Sequence, residues 1–270
     1  MSFSTTVEHA SDNPPEVRIL TRDDGATIAY RQTPGKSPGV VFLTGFKSDM
    51  TGGKATAVER FCRDRGQAVV RFDYSGHGRS SGIFEDGTIG QWAEDTILVL
   101  DKLTHGPQIL VGSSLGGWIM LLAALARPGR IAGLIGLAPA PDFTEELMWS
   151  AFSEAEKAEM KETGFIEIPN CYDDQEGYRI SARLIDEARN HLLLRQDIPV
   201  TVPVRLIHGM QDADVPWSTS QRLSERLKSN DVEVTFVKSG DHRLSEPTDI
   251  NRLTQTLATL LDQLTPRKTP

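Results

Sequence analysis

Cysteine is scarce in these 270 residues: there are 2, Cys62 and Cys171. Their spacing matches no zinc-ligand motif and two thiols are too few for a disulfide scaffold, so both read as reduced structural thiols. Neither stands in a turn motif beside a candidate base, which sets aside a nucleophilic role. Positive charge is also in deficit, with 29 Lys and Arg against 37 Asp and Glu and a net charge of -8. That balance excludes a nucleic-acid footprint, because phosphate binding needs clustered cations. No apolar run is long enough to span a bilayer. The stretch Met1 to His9 lacks the basic start and apolar run of a secretory signal. A soluble, cytoplasmic protein is the expectation from these absences. The 39% hydrophobic and 24% charged content is that of an ordinary globular chain with one sizeable core.

What is present centres on Gln108-Ile-Leu-Val-Gly-Ser-Ser-Leu-Gly-Gly-Trp118, where an apolar run leads directly into Gly112-Ser113-Ser114-Leu115-Gly116. This reads as a nucleophile elbow: a buried strand, a sharp turn, then a helix, with Ser114 at the tip and its hydroxyl exposed. Gly112 and Gly116 are small because strand and helix pass too closely for side chains. Ser113 stands one place too early and points along the strand. A plain Gly/Ser loop is the bland alternative; the helix-like apolar run from Leu115 to Leu125 argues against it.

Val17 to Leu20 and Ala26 to Arg31 are short β-rich runs around Asp23-Asp24-Gly25, a hairpin signal. Gly39 to Thr44, Gln67 to Asp73, Gln108 to Ser113 and Ile131 to Leu137 read as strands covered on both faces. Between them, Ala55, Val58, Glu59, Phe61 and Cys62 mark one helix. Ile89, Trp92, Ala93, Thr96, Ile97 and Leu100 stripe another, in which the Trp is read as packing. This alternation predicts an α/β fold with a mostly parallel, doubly wound sheet, formed by residues 1–141 and 201–270. The pattern breaks over 142–200, which predicts a small helical cap inserted between core strands. The cap has helices at Thr144 to Phe152, Glu154 to Lys161 and Ser181 to Leu194, with an irregular aromatic stretch from Phe165 to Tyr178. Its Met148, Trp149, Phe152, Phe165, Ile166 and Ile168 are read either as pocket lining or as the dock onto the core. The core resumes with Val204 to His208, a helix from Ser218 to Leu227, a strand from Val232 to Val237, and a closing helix. That helix buries Ile250, Leu253, Leu257, Leu260 and Leu261; Thr265 to Pro270 reads as a polar tail.

A serine hydroxyl is a poor nucleophile at neutral pH, so Ser114 needs a base and a group to orient that base. His242, in the turn Lys238-Ser-Gly-Asp-His242, is the best of the 6 histidines, since it follows a strand that ends at the same rim as the elbow. His9 lies in the N-terminal arm, and His105 and His191 lie near helix ends. His208 reads as a packed structural ring, and His77 as loop packing with a lesser claim to touch substrate. For the acid, Asp212 and Asp214 both sit just past a strand end, and only one can pair with His242. Asp241 adjoins His242 in a turn and faces solvent. Two backbone N–H groups are needed for the developing oxyanion: that of Leu115, after the nucleophile, and that of Phe46, after the strand ending at Thr44. No metal or organic cofactor is required.

Taken together, the elbow, Asp73-Tyr-Ser-Gly-His-Gly78, the pattern from His208 through Asp212 to Val215-Pro216, and the Asp241-His242 turn resemble the α/β-hydrolase superfamily across nearly the whole chain. Phe42 to Ala55, Arg71 to Gly76, Gly106 to Trp118 and Val215-Pro-Trp217 resemble, within it, a mitochondrial abhydrolase-domain branch that cleaves palmitoyl-protein thioesters and acyl glucuronides. The resemblance implies Ser114, Asp212 and His242 as the triad of a serine esterase or thioesterase, acting on a small-molecule or acyl-protein substrate through an acyl-enzyme. That branch carries a targeting segment not found here, so its compartment is not carried over. Two other readings stand beside this one: a carbon-carbon bond hydrolase or peptidase on the same fold, and a catalytically silent binding protein.

Overall fold

The computed structural model describes residues 15–168 and 177–265. Arg18–Thr21 (β1) and Thr27–Thr33 (β2) form the expected hairpin, with Gly25 in the left-handed turn position at φ 87°. There follow Lys36–Leu43 (β3), Gln67–Phe72 (β4), Gln108–Ser113 (β5) and Ile131–Leu137 (β6). Phe165–Ile168 (β7) and Tyr178–Ser181 (β8) come next, then Val204–Gly209 (β9) and Val232–Val237 (β10). Eight strands make one sheet in the order β1-β2-β4-β3-β5-β6-β9-β10, parallel from β4 to β10 and antiparallel at the β1-β2-β4 edge.

The helices are Gly53–Arg65 (α1), Ile89–Leu103 (α2), Leu115–Ala126 (α3), Glu154–Thr163 (α4), Ala182–Ala188 (α5), Ser218–Arg226 (α6) and Pro247–Leu264 (α7). Side chains of a strand alternate between faces, so β3 feeds two cores. Val40 and Phe42 join Val58 and Cys62 of α1 and Leu257 and Leu260 of α7. Val41 and Leu43 join Trp92 of α2 and Trp118 of α3 on the other face. Both faces are therefore covered, as the continuous apolar strands require. On α7, Ile250 is only half-buried and Asp249 is buried in its place, so the predicted stripe begins at Leu253.

Between β6 and β9 the chain departs from the expected pattern in three places. Thr144–Trp149 winds as a π-helix instead of an α-helix reaching Phe152. The aromatic stretch is not irregular at its ends: β7 and β8 pair antiparallel, with Ile166 opposite Ile180, and both side chains are buried. The helix expected over Ser181 to Leu194 stops at Ala188 and tightens into a 3-10 turn, Arg189–His191. Ser153 and Glu156 cap α4 reciprocally, which fixes its start.

Asp142 holds the two ends of this segment together. Its fully buried carboxylate accepts from the N–H groups of Leu193 and Leu194, both at 2.8 Å, 51 and 52 positions away. Burial pushes this carboxyl upward, and those two N–H donors oppose the shift. Trp118 of α3 adds a second tie by donating from Nε1 to the His191 carbonyl at 3.1 Å. Phe152 and Ile166 are buried in the main core cluster, and Met148, Trp149 and Ile168 pack against it, which favours the docking role for these side chains.

Candidate active site

Ser114 follows β5, Asp212 follows β9 and His242 follows β10, so three parallel strands, with β6 between the first and the second, deliver them to one rim of the sheet. Brought together there, Ser114 Oγ donates to His242 Nε2 at 2.9 Å, and His242 Nδ1 donates to Asp212 Oδ2 at 2.7 Å. The carboxylate has only lone pairs to offer, which places the imidazole proton on Nδ1 and leaves Nε2 as the acceptor.

The elbow is as tight as its glycines imply. Ser114 adopts φ 53° and ψ -116°, a strained conformation held by hydrogen bonds on both sides. Its N–H donates to Leu137 O at 2.9 Å, and its carbonyl accepts from Gly117 and Ala140 N–H at 2.8 and 3.1 Å. A Cβ on Gly112 would stand 2.2 Å from Gly116 O, and one on Gly116 would stand 2.3 Å from Leu43 O. These are backbone atoms of packed elements and cannot rotate away. Gly116→Ala is therefore expected to lower stability by about 2–3 kcal/mol and to depress esterase activity, because the displaced Leu43 leads into the turn beside Ser114. Thermal denaturation and initial rates read the two effects.

That turn, Gly45 to Ser48, is closed by Ser48 N–H to Gly45 O at 3.1 Å, with Lys47 at φ 54°. A side-chain carbon on Gly45 would lie 3.5 Å from Ser114 Cβ, so this backbone runs beside the nucleophile. Asp73 secures the loop from below by accepting from Met50 N–H at 2.6 Å and Arg79 N–H at 2.9 Å. Arg71, in a buried ion pair with Glu59, donates to the Met50 carbonyl. Leu115 is the first residue of α3, so its N–H has no intrahelical acceptor. Both oxyanion candidates thus flank Ser114.

Asp212 is more heavily held than the sequence implied. Its Oδ1 accepts from the N–H groups of Asp214 at 2.9 Å and Val215 at 2.8 Å. Oδ2 takes His242 and also His208 Nε2 at 3.1 Å. Burial alone would push this carboxyl up; the hydrogen bonds from His208 and His242 outweigh it and hold Asp212 well below the usual carboxylate range. His208 is a packed ring, as expected, yet its contact with Asp212 was not legible. Asp214, the alternative acid, is exposed and contributes its backbone N–H. Asp212, Asp214 and His242 do offer donor atoms within 4.8 Å of one another. Both nitrogens of His242 and both oxygens of Asp212 are already engaged in hydrogen bonds, so we assign no metal centre to them.

Asp241 accepts from Leu244 N–H at 3.0 Å and is exposed, as read. Lys54 of α1, unnoticed in the sequence, donates to the Arg243 carbonyl and so ties the His242 loop to the core. Burial pushes its ammonium down to about 8, with Asp241 opposing. His77 is buried among Tyr74, Phe84 and Trp92 with Nδ1 3.2 Å from Ser75 O, which is the loop-packing role. Burial lowers its pKa. Cys62 is free and buried, and burial pushes its thiol up to about 12, so it is no nucleophile. Cys171 and His9 lie outside the described residues.

Above the turn, Phe46 meets Phe84 at 4.8 Å, Phe143 at 5.6 Å and Tyr178 of β8 at 6.1 Å, which brings parts of the segment between β6 and β9 against the nucleophile's surroundings. Lys47 Nζ lies 4.5 Å from the Tyr178 ring centroid. A groove of about 600 Å³ opens here, lined by Lys47, Ile83, Thr163, Phe165, Tyr178 and Ser181. A larger one, about 730 Å³, lies between α2, α3 and α5, and no triad candidate lines either groove. The first adjoins the turn that carries Phe46, through Lys47 and Tyr178.

Residues 40–253 match the model of the alpha/beta hydrolase family. The chain belongs to that family. Among relatives of this hydrolase, the mitochondrial palmitoyl-protein thioesterase ABHD10 of Bos taurus is 45% identical over 249 residues, 92% of this chain and 81% of the relative. The Homo sapiens protein of the same name is 45% identical over 246 residues, 91% of this chain and 80% of the relative. The solved structure of mouse alpha/beta hydrolase domain-containing protein 10 superposes with a TM-score of 0.86 at 44% identity, covering 93% of this chain and 100% of that one. These relatives are named as mitochondrial, which overturns the cytoplasmic expectation. The composition that suggested it reports solubility and not compartment. No helix among the described residues is long and apolar enough to cross a membrane.

Proposed function

We propose that this hydrolase cleaves carboxylic thioesters and esters of acyl substrates by a serine mechanism, with Ser114 as nucleophile, His242 as general base and acid, and Asp212 as the group that orients His242. The observation that carries this reading is the unbroken hydrogen-bond line from Ser114 Oγ through His242 to Asp212. As Ser114 attacks the substrate carbonyl, its proton passes to His242 Nε2, and the oxyanion is received by the N–H groups of Leu115 and Phe46. Collapse expels the thiol or alcohol, which takes the proton from His242, and leaves an acyl group on Ser114. Water, deprotonated by His242, then releases the acid and restores the hydroxyl. Each oxyanion donor contributes about 3 kcal/mol to the barrier lowering.

Residues 142–200 act as a cap in this reading. Its Phe143 and Tyr178, with Phe46 of the turn after β3, offer aromatic side chains that suit an acyl chain. The thioesterase names of the relatives support acyl-thioester over peptide cleavage, and the same names support a mitochondrial setting. The test is a panel of acyl thioesters and p-nitrophenyl esters of increasing chain length, with fluorophosphonate labelling. Labelling at Ser114 and a kcat/KM that rises with acyl length are expected. An unlabelled protein inert toward every member of the panel would refute the reading.

A further inference from the structure

The carboxylate that holds His242 is shared between two imidazoles. His208 is fully buried at the end of β9, with its ring clamped from both edges. Nδ1 is 2.7 Å from Ser220 Oγ on α6. Nε2 is 3.1 Å from Asp212 Oδ2 and 3.0 Å from Val215 O. Both groups facing Nε2 are acceptors, so the ring proton belongs on Nε2, and Nδ1 is left to accept from the Ser220 hydroxyl. His208 therefore donates into the same oxygen that receives the His242 Nδ1–H.

We propose that His208 is a positioning residue, held in its tautomer by Ser220, that limits how strongly Asp212 stabilises the protonated form of His242. The proposal rests on the triad reading above. An oxygen that already accepts one N–H offers less electron density to a second, so the His208 bond weakens the pull of Asp212 on the His242 proton. A base must be unprotonated in the resting enzyme. A carboxylate left entirely to His242 would hold that ring as imidazolium at higher pH and take the base out of service. The bond also fixes the rotation of the carboxylate, with Oδ1 pinned by two backbone N–H groups and Oδ2 by two rings.

The other charged groups near His242 remain in place when His208 is replaced. Asp214 presents its carboxylate from the β9 loop, Asp241 and Arg243 flank the ring in sequence, and Lys54 of α1 with Asp249 of α7 stands behind that loop. A shift in the titration of His242 would accordingly report on His208.

The experiment compares His208→Phe, His208→Asn and His208→Gln with the wild type, reading kcat/KM for a p-nitrophenyl ester against pH. The apolar ring of His208→Phe removes the donor. His208→Asn keeps an acceptor for Ser220 but falls short of Asp212, and so reads the same loss if the Phe variant does not fold. The amide of His208→Gln reaches the former Nε2 position and returns a donor. The acidic limb is expected to move up by about half to one pH unit in the Phe and Asn variants, and to return toward the wild type in His208→Gln. The downfield NMR signal of the His242 Nδ1 proton should persist to correspondingly higher pH in the first two. An acidic limb that stays in place, whether or not the rate or Tm falls, would overturn the proposal and leave His208 a packing residue. Failure of the triad reading would look different: Ser114 would not label with fluorophosphonate in the wild type.

Discussion

Ser114→Ala is expected to lower ester turnover by about 10⁶-fold while the protein keeps its fold. The hydroxyl is the only atom lost, and its one side-chain hydrogen bond, to His242 Nε2, reaches a partly exposed ring. What survives is the weak catalysis of oriented water near the oxyanion donors. The companion variant Ser114→Gly separates chemistry from strain. Serine at φ 53° and ψ -116° stores strain of about 1–3 kcal/mol. Glycine relieves it, at an entropic cost of about 0.5–1 kcal/mol. Ser114→Gly should therefore be as inactive as Ser114→Ala yet melt a few degrees above it. Turnover retained in either variant would remove Ser114 from the mechanism.

The second large effect is expected from Asp212→Asn, about a 10⁴-fold fall in kcat. The structure determines how the amide must sit. Oδ1 of Asp212 faces two backbone donors, Asp214 and Val215 N–H, so the asparagine carbonyl takes that side. Its NH₂ group then faces His242 Nδ1 and His208 Nε2. Donor meets donor at both rings. His242 answers by moving its proton to Nε2, which turns the base into a donor toward Ser114, and His208 keeps only the Val215 carbonyl as acceptor while facing a donor in a buried site. Breaking such a network should also destabilise the fold by about 2–3 kcal/mol. A pH-rate profile with thermal denaturation reads both effects, and near-normal kcat would contradict the assigned role.

How far these residues were legible depended on whether their placement is local. The elbow is five consecutive residues whose glycines follow from backbone contact. The bases and acids sit in short turns directly after apolar strands, and in a parallel sheet every such turn emerges at the same rim. Ser114, His242, Leu115, Phe46 and the pair Asp212 and Asp214 could therefore be named from motif and strand order. The resemblance to hydrolases then chose Asp212 over Asp214, and in the structure it is Asp212 that meets His242. Between β6 and β9 the signal failed, because apolar spacing over Thr144 to Phe152 cannot tell a π-helix from an α-helix, and two four-residue strands are too short for alternation to register.

By itself, then, the sequence determined the period of each element, the glycine-bounded turns and the chain order Ser, Asp, His, all of which depend on neighbours within a few positions. Only the tertiary structure decided which buried polar groups meet. His208 turns its second nitrogen to Asp212, Lys54 fastens the His242 loop, and Asp142 accepts from the N–H groups of Leu193 and Leu194. The physical reason is that a buried donor or acceptor must find a partner wherever packing places one. For these residues, except the pair His208 and Asp212, that partner lies tens to hundreds of positions away; for that pair it is the fold of the loop, not the spacing, that aims the ring.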